Sequence, residues 1–87
     1  MLKVGKCYKL IKEDGAGWPF YGLEIINQEH RAVHREHLGY LQLDECFLLL
    51  CVSSIDGGHR KMLKILFKGK MVLIFCSNQF INKFEEL

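Results

Sequence analysis

A single proline, no Cys-x-x-Cys pair, and no apolar run of membrane-spanning length each remove a class of protein from consideration. The longest uncharged apolar run, "CFLLLCV" at 46–52, has seven residues, far short of the roughly 20 that cross a bilayer. Lys3, Lys6, Lys9 and Lys12 break up the N-terminus, so no signal peptide is expected and the chain reads as cytoplasmic. Twelve Lys and Arg against ten Asp and Glu leave a net charge of +2, which is not the field of a dedicated nucleic-acid binder. There is no G-x-S-x-G, no phosphate loop and no convincing carboxylate pair, so neither an enzyme nor a cofactor is predicted. Cys46 and His37 make a nucleophilic pair only on paper. With four Cys and four His in 87 residues, some such proximity is expected by chance.

What remains is a single folded domain over 1–87, at 49% apolar and 25% charged residues. A chain this short buries only about 60% of its unfolded surface, so it is marginal without a metal, a disulfide or self-association. Cys46 and Cys51 fall on opposite faces of any strand and cannot share a zinc ion. The four cysteines are therefore expected to be reduced and mostly buried.

Alternation of apolar and polar residues predicts short strands. "KCYKLIK" (6–12) and "FYGLEIIN" (20–27) make two, with "EDGAGWP" (13–19) as a loop between them. "ECFLLLCVSS" (45–54) is apolar at every position of its first half and predicts a central strand buried on both faces. "KMLKILF" (61–67) and "MVLIFC" (71–76) flank a tight hairpin at "KGK". The last segment, 77–87, opens with Ser-Asn, a capping signal, and predicts one helical turn before a short closing strand. Leu10, Leu23, Ile25, Leu48, Leu50, Leu63, Ile65, Leu73 and Phe75 are the predicted core.

Residues 28–44 are ambiguous. As a helix they would stack His30, His34 and His37 at i, i+4 and i+7, a possible zinc or nickel site. As an extended segment the three separate, and Arg31 and Arg35 make it a solvated basic stretch. The histidines are thus only weak metal candidates. "GAGWPFYG" is the most suggestive recognition element: Trp18, Phe20 and Tyr21, with Tyr40, form an aromatic loop suited to an extended peptide. The competing reading seals the core with Phe20 or Tyr21 and covers an open end with Trp18. A nucleic-acid alternative uses exposed aromatics with Lys9, Lys12, Arg31 and Arg35.

The order of these features resembles the Src-homology-3-like barrels of bacteria and their phages. The likeness lies in the long loop after strand one, the doubly buried central strand, "MLKILFKGKMVLIFCSNQF" and the closing "FEEL". Ile65, Gly69, Lys70 and Leu73 to Phe75 take the places of that family's hairpin. "KVGKCYKLI" followed by "LDECFLLL" also resembles small proteins of tailed phages with T-even-like genomes. Five short strands and one clear hairpin fit a small all-β barrel or sandwich, and the resemblance implies the barrel, mostly β and five-stranded, with a short helical turn near the C-terminus. It also implies a non-catalytic module that recognises a protein or peptide in the cytoplasm of an infected cell. Val72-Leu73 stands where wall-peptide-binding members carry Gly-Trp, so that ligand is not implied. Finally, apolar residues on both alternating faces of 46–52 and 71–76 predict an outer patch and a homo-oligomer.

Overall fold

The computed structural model describes residues 2–12, 17–29, 32–77 and 82–87, with side chains left out at 25–29, 32–34 and 56. Seven strands follow in chain order: β1 (Cys7–Leu10), β2 (Trp18–Glu29), β3 (Ala32–Leu41), β4 (Cys46–Ile55), β5 (Arg60–Phe67), β6 (Lys70–Ser77) and β7 (Phe84–Glu86). The mostly-β expectation holds. All pairs are antiparallel and form one sheet in the order β3-β2-β6-β5-β4-β1-β7. No helix among the described residues is long and apolar enough to cross a membrane.

Two features of the expected barrel are corrected. The sheet has seven strands rather than five, and it is not closed: β3 and β7 are its edges. One of the two added strands comes from the ambiguous segment, since 32–41 pairs with 18–29 as a long hairpin, and the other is the short closing strand β7. That hairpin joins the rest through β2, which meets β6 at one register pair, Tyr21↔Leu73, and its other strand, β3, is an edge of the sheet. At the C-terminus residues 82–83 are helical and lead into β7, while 78–81, over which the helical turn was also expected, lie outside the described residues.

The β5–β6 hairpin sets the register of the centre. Lys68 (φ 51°) and Gly69 (φ 78°) are both left-handed, the geometry of a two-residue turn whose twist suits antiparallel strands. It pairs Phe67 with Lys70, Ile65 with Val72 and Leu63 with Ile74. Directly paired residues share a face, so Leu63, Ile65, Phe67, Val72, Ile74 and Cys76 all turn inward and are buried. Tyr8, Leu10, Leu41, Phe47, Leu49 and Phe84 complete the core, with Leu2, Trp18 and Phe20 packed against it.

This register corrects the predicted core. Leu10, Leu63, Ile65 and Leu73 are buried as expected, but Leu73 lies on the outer face, opposite Tyr21 and Lys64. Leu23, Leu48, Leu50 and Phe75 are only half-buried, and the side chain of Ile25 is outside the described residues. In β4 the inward residues are Phe47 and Leu49 instead. Leu49 pairs with Ile65 and Cys51 with Lys64, so Leu50 is an extra residue that forms a bulge. The bulge reverses the alternation and turns Cys51 outward. An apolar run on both alternating positions therefore needs no strand buried twice over. The thiols are corrected too: Cys7, Cys46 and Cys51 are exposed, and Cys76 alone is buried.

Candidate recognition face

The three aromatic residues expected in one loop, and Tyr40 with them, are strand residues and divide between two faces. Trp18 and Phe20 face inward. The Trp18 indole N–H donates to the Phe75 carbonyl at 3.0 Å, and its ring meets Phe84 edge-on at 5.4 Å. Phe20 pairs with Gly39 and packs on Phe67 at 5.4 Å. A β-carbon at Gly39 would lie 2.9 Å from the Phe20 ring, so the absent side chain is what admits that ring. Both residues thus serve the core, and Trp18 reaches β7 through Phe84.

Tyr21 and Tyr40 face outward. One step of β2, Phe20 to Tyr21, spans two steps of β3, Gly39 to His37. Leu38 is the extra residue, and the bulge brings His37 onto the outer side opposite Tyr21. The outcome is a connected row of rings across three strands. His37 and Tyr40 are 4.7 Å apart, Tyr21 and His37 5.5 Å, and Tyr21 and Phe75 5.5 Å. The row continues over β6 and β5 into Leu73, Met71 and Leu66, since Leu73 pairs with Tyr21 and Leu66 with Met71. Met71 is 54% exposed, Tyr40 44% and Leu66 38%. Sequence reasoning missed Phe75, Met71 and Leu66. The signal was present, because a two-residue turn at 68–69 that turns Ile65 inward also turns Val72 and Ile74 inward and so Met71 and Phe75 outward.

The predicted basic group is not gathered. Arg35, half-buried on β3, donates to the Leu23 carbonyl. Lys9 is on β1 opposite Glu85, near the other end of the sheet. Lys12 is exposed after β1, and Arg31 lies outside the described residues. The helix required by the three-imidazole site is absent: 32–41 is a strand, which carries His34 and His37. His30 and the His34 side chain lie outside the described residues. Among the described residues, no group of three His, Cys, Asp or Glu is placed to hold a metal ion. The paper pairing of Cys46 with His37 fails on topology, since β2, β6 and β5 stand between β4 and β3.

Among the described residues, two titratable groups depart from their ordinary values. Glu45 sits in the β3–β4 connection, where the Lys68 ammonium lies 2.8 Å from its carboxylate and the Gln42 N–H donates at 2.7 Å. The Lys68 hydrogen bond, then that of Gln42, holds the Glu45 carboxyl below its usual range. Burial pushes the Cys76 thiol up, against a smaller lowering by Lys61. Neither group belongs to the outer ring row. Comparison with protein-family models, curated proteins and solved structures found no match to this chain.

Proposed function

We propose that the chain is a non-catalytic interaction module that receives an extended protein or peptide segment on its outer ring row. One observation carries this reading: Tyr40, His37, Tyr21 and Phe75 are contiguous on one face and run into exposed Met71 and Leu66. A connected outward apolar surface of this kind marks a site of interaction. The rings also meet edge to face, at interplanar angles of 56° to 71°. Ring faces are thereby occupied by neighbouring edges, which suits grooves for peptide side chains better than flat platforms for bases.

The same reading keeps the likeness to Src-homology-3-like proteins of tailed-phage type, with an open seven-stranded sheet in place of their closed barrel, acting in the cytoplasm of an infected cell. Support comes from the β5–β6 hairpin, the helical turn at 82–83 and the short closing strand. Self-association belongs to the proposal as well. Its place is the outer edge of β3, a ten-residue strand paired on one side only, whereas β7 is three residues long and ends in two glutamates. Long open edges template pairing with another chain, and short charged ones discourage it.

The test is selection from a random displayed-peptide library, with the enriched peptides then measured against variants. Tyr40→Ala and Met71→Ser are expected to weaken binding at least tenfold, while Val4→Ser, an exposed residue before β1, leaves it unchanged. Equal binding by all three variants would overturn the assignment of the surface.

A further inference from the structure

We infer that Cys7 on β1 and Cys46 on β4 together hold a soft monovalent cation, copper(I), as a two-coordinate bridge between the strands. The site is independent of the recognition face proposed above. Tyr8 pairs with Phe47, and the two are buried with their rings stacked 6.1 Å apart. Their neighbours Cys7, Lys9, Cys46 and Leu48 therefore point to the opposite, outer side of the sheet. Cys7 and Cys46 are both exposed there. Cys7 pairs with Leu48 and Cys46 with Lys9, so the two thiols are diagonal neighbours on adjacent strands. The Leu49 N–H donates to the Lys6 carbonyl at 3.0 Å, and the Leu10 N–H to the Glu45 carbonyl at 3.2 Å. Those bonds make Cys7–Leu48 and Lys9–Cys46 the non-hydrogen-bonded pairs, in which side chains approach most closely.

The spacing selects the ligand. Diagonal neighbours have α-carbons about 7–8 Å apart and β-carbons somewhat nearer. A disulfide needs β-carbons about 3.8 Å apart, so these thiols do not close one without backbone movement. Replacing the roughly 2.0 Å S–S bond by two metal–sulfur bonds of about 2.3 Å each widens the reach to about 6.3 Å, which fits the diagonal. Zinc takes four ligands, and among the described residues no third His, Cys, Asp or Glu joins the pair. Cys51 is exposed but lies farther along β4, opposite Lys64. Thiolates select soft ions, and two of them in a line satisfy copper(I). On binding, both S–H bonds break, two Cu–S bonds form, the protons pass to solvent and copper keeps its oxidation state. The Cys46 thiol donates to the Asp44 carbonyl at 3.6 Å, and loss of that proton frees the sulfur to turn toward Cys7. The complex carries one excess negative charge. Lys9 stands directly opposite Cys46 to offset it, with Glu85 beyond Lys9 on β7.

The reduced full chain is titrated with copper(I), supplied without oxygen as its acetonitrile complex, in competition with bicinchoninate, whose colour reports the copper it holds. Wild type is expected to take one equivalent per chain, to release two protons per ion and to show two sulfur neighbours by X-ray absorption. Copper(I) should also raise the urea midpoint, because it binds the folded chain across two strands. Cys7→Ser and Cys46→Ser, both at exposed positions, should each lower the affinity roughly a hundredfold and abolish the midpoint shift. Cys51→Ser should match wild type. Either of the first two variants is sufficient if the other fails to fold. A loss as large from Cys51→Ser overturns the pairing of Cys7 with Cys46. Uptake of half an equivalent, an ion shared between two chains, overturns it too. Failure to capture copper(I) from bicinchoninate, or wild-type affinity in Cys7→Ser or Cys46→Ser, overturns the site itself.

Discussion

Replacing Leu49 by Ala and, separately, Leu50 by Ala asks whether the β4 bulge sets which side of the strand is inside. Leu49 is fully buried, paired with Ile65 and enclosed by the core, whereas Leu50 is half-buried at the bulge. Emptying a tightly packed leucine site removes transfer free energy and leaves a cavity, about 2–5 kcal/mol in all. At about 0.05–0.15 kcal/mol per residue, an 87-residue chain holds only about 4–13 kcal/mol. Leu49→Ala is thus expected to remove from about a sixth of the stability to all of it. With a urea m-value of about 1 kcal/mol/M for so small a domain, a loss of about 3 kcal/mol lowers the midpoint by about 3 M. Leu50→Ala should cost about 1 kcal/mol or less, and the midpoint should fall by no more than about 1 M. Equilibrium urea unfolding followed by Trp18 fluorescence measures both, since Trp18 packs on Phe84 in the folded chain. An equal or larger loss from Leu50→Ala would refute the inward placement of Leu49 and with it the register of β4 against β5.

Four further outcomes follow. Gly17→Ala should destabilise by more than about 2 kcal/mol, because at φ +105° its β-carbon would lie 2.6 Å from the Leu41 carbonyl oxygen. Gly57→Ala, at φ +65° in open space, should cost only about 1 kcal/mol; urea midpoints of the two variants compare them directly. A disulfide-exchange reagent at mild alkaline pH should titrate Cys7, Cys46 and Cys51 quickly in the native chain and Cys76 only on unfolding, because Cys76 is buried and its thiol is held above the ordinary range; a fast fourth equivalent would contradict this. Glu45 has a lowered folded pKa, so its stabilisation is complete above the ordinary value of 4.5 and is lost as pH falls through the folded pKa. Glu45→Gln should therefore be slightly less stable than wild type at neutral pH, and the two thermal-denaturation curves should converge in acid. Sedimentation should show a mass that rises with concentration, and Leu38→Lys on the β3 edge should abolish the rise.

Much of the centre was legible. The hairpin at 68–69, the inward side of 61–67 and the closing turn and strand all follow from alternation and turn chemistry. The inward parity of β6 was legible in principle, since a two-residue turn transfers the parity of β5 to its partner. Leu73 and Phe75 are as apolar as Val72 and Ile74, however, so composition alone chose the wrong pair. The ring row was half visible: Tyr21 and Tyr40 stood out as aromatic, but Phe75 looked like core, and His37 looked like a ligand of an ion.

Sequence by itself determined the strand-rich character of the chain, the near balance of its charge, and the absence of carboxylates from 57 to 83. Those are properties of composition and of period-two alternation, which do not depend on what a strand packs against. Tertiary structure alone decided that 32–41 is a strand, that Leu38 and Leu50 are bulged, and that Trp18 and Phe20 turn inward while Tyr21 and Tyr40 turn outward. A bulge shifts every later side chain of a strand to the opposite face. Its position is set by how two strands pair across the sheet, and a single strand read on its own holds no record of that pairing.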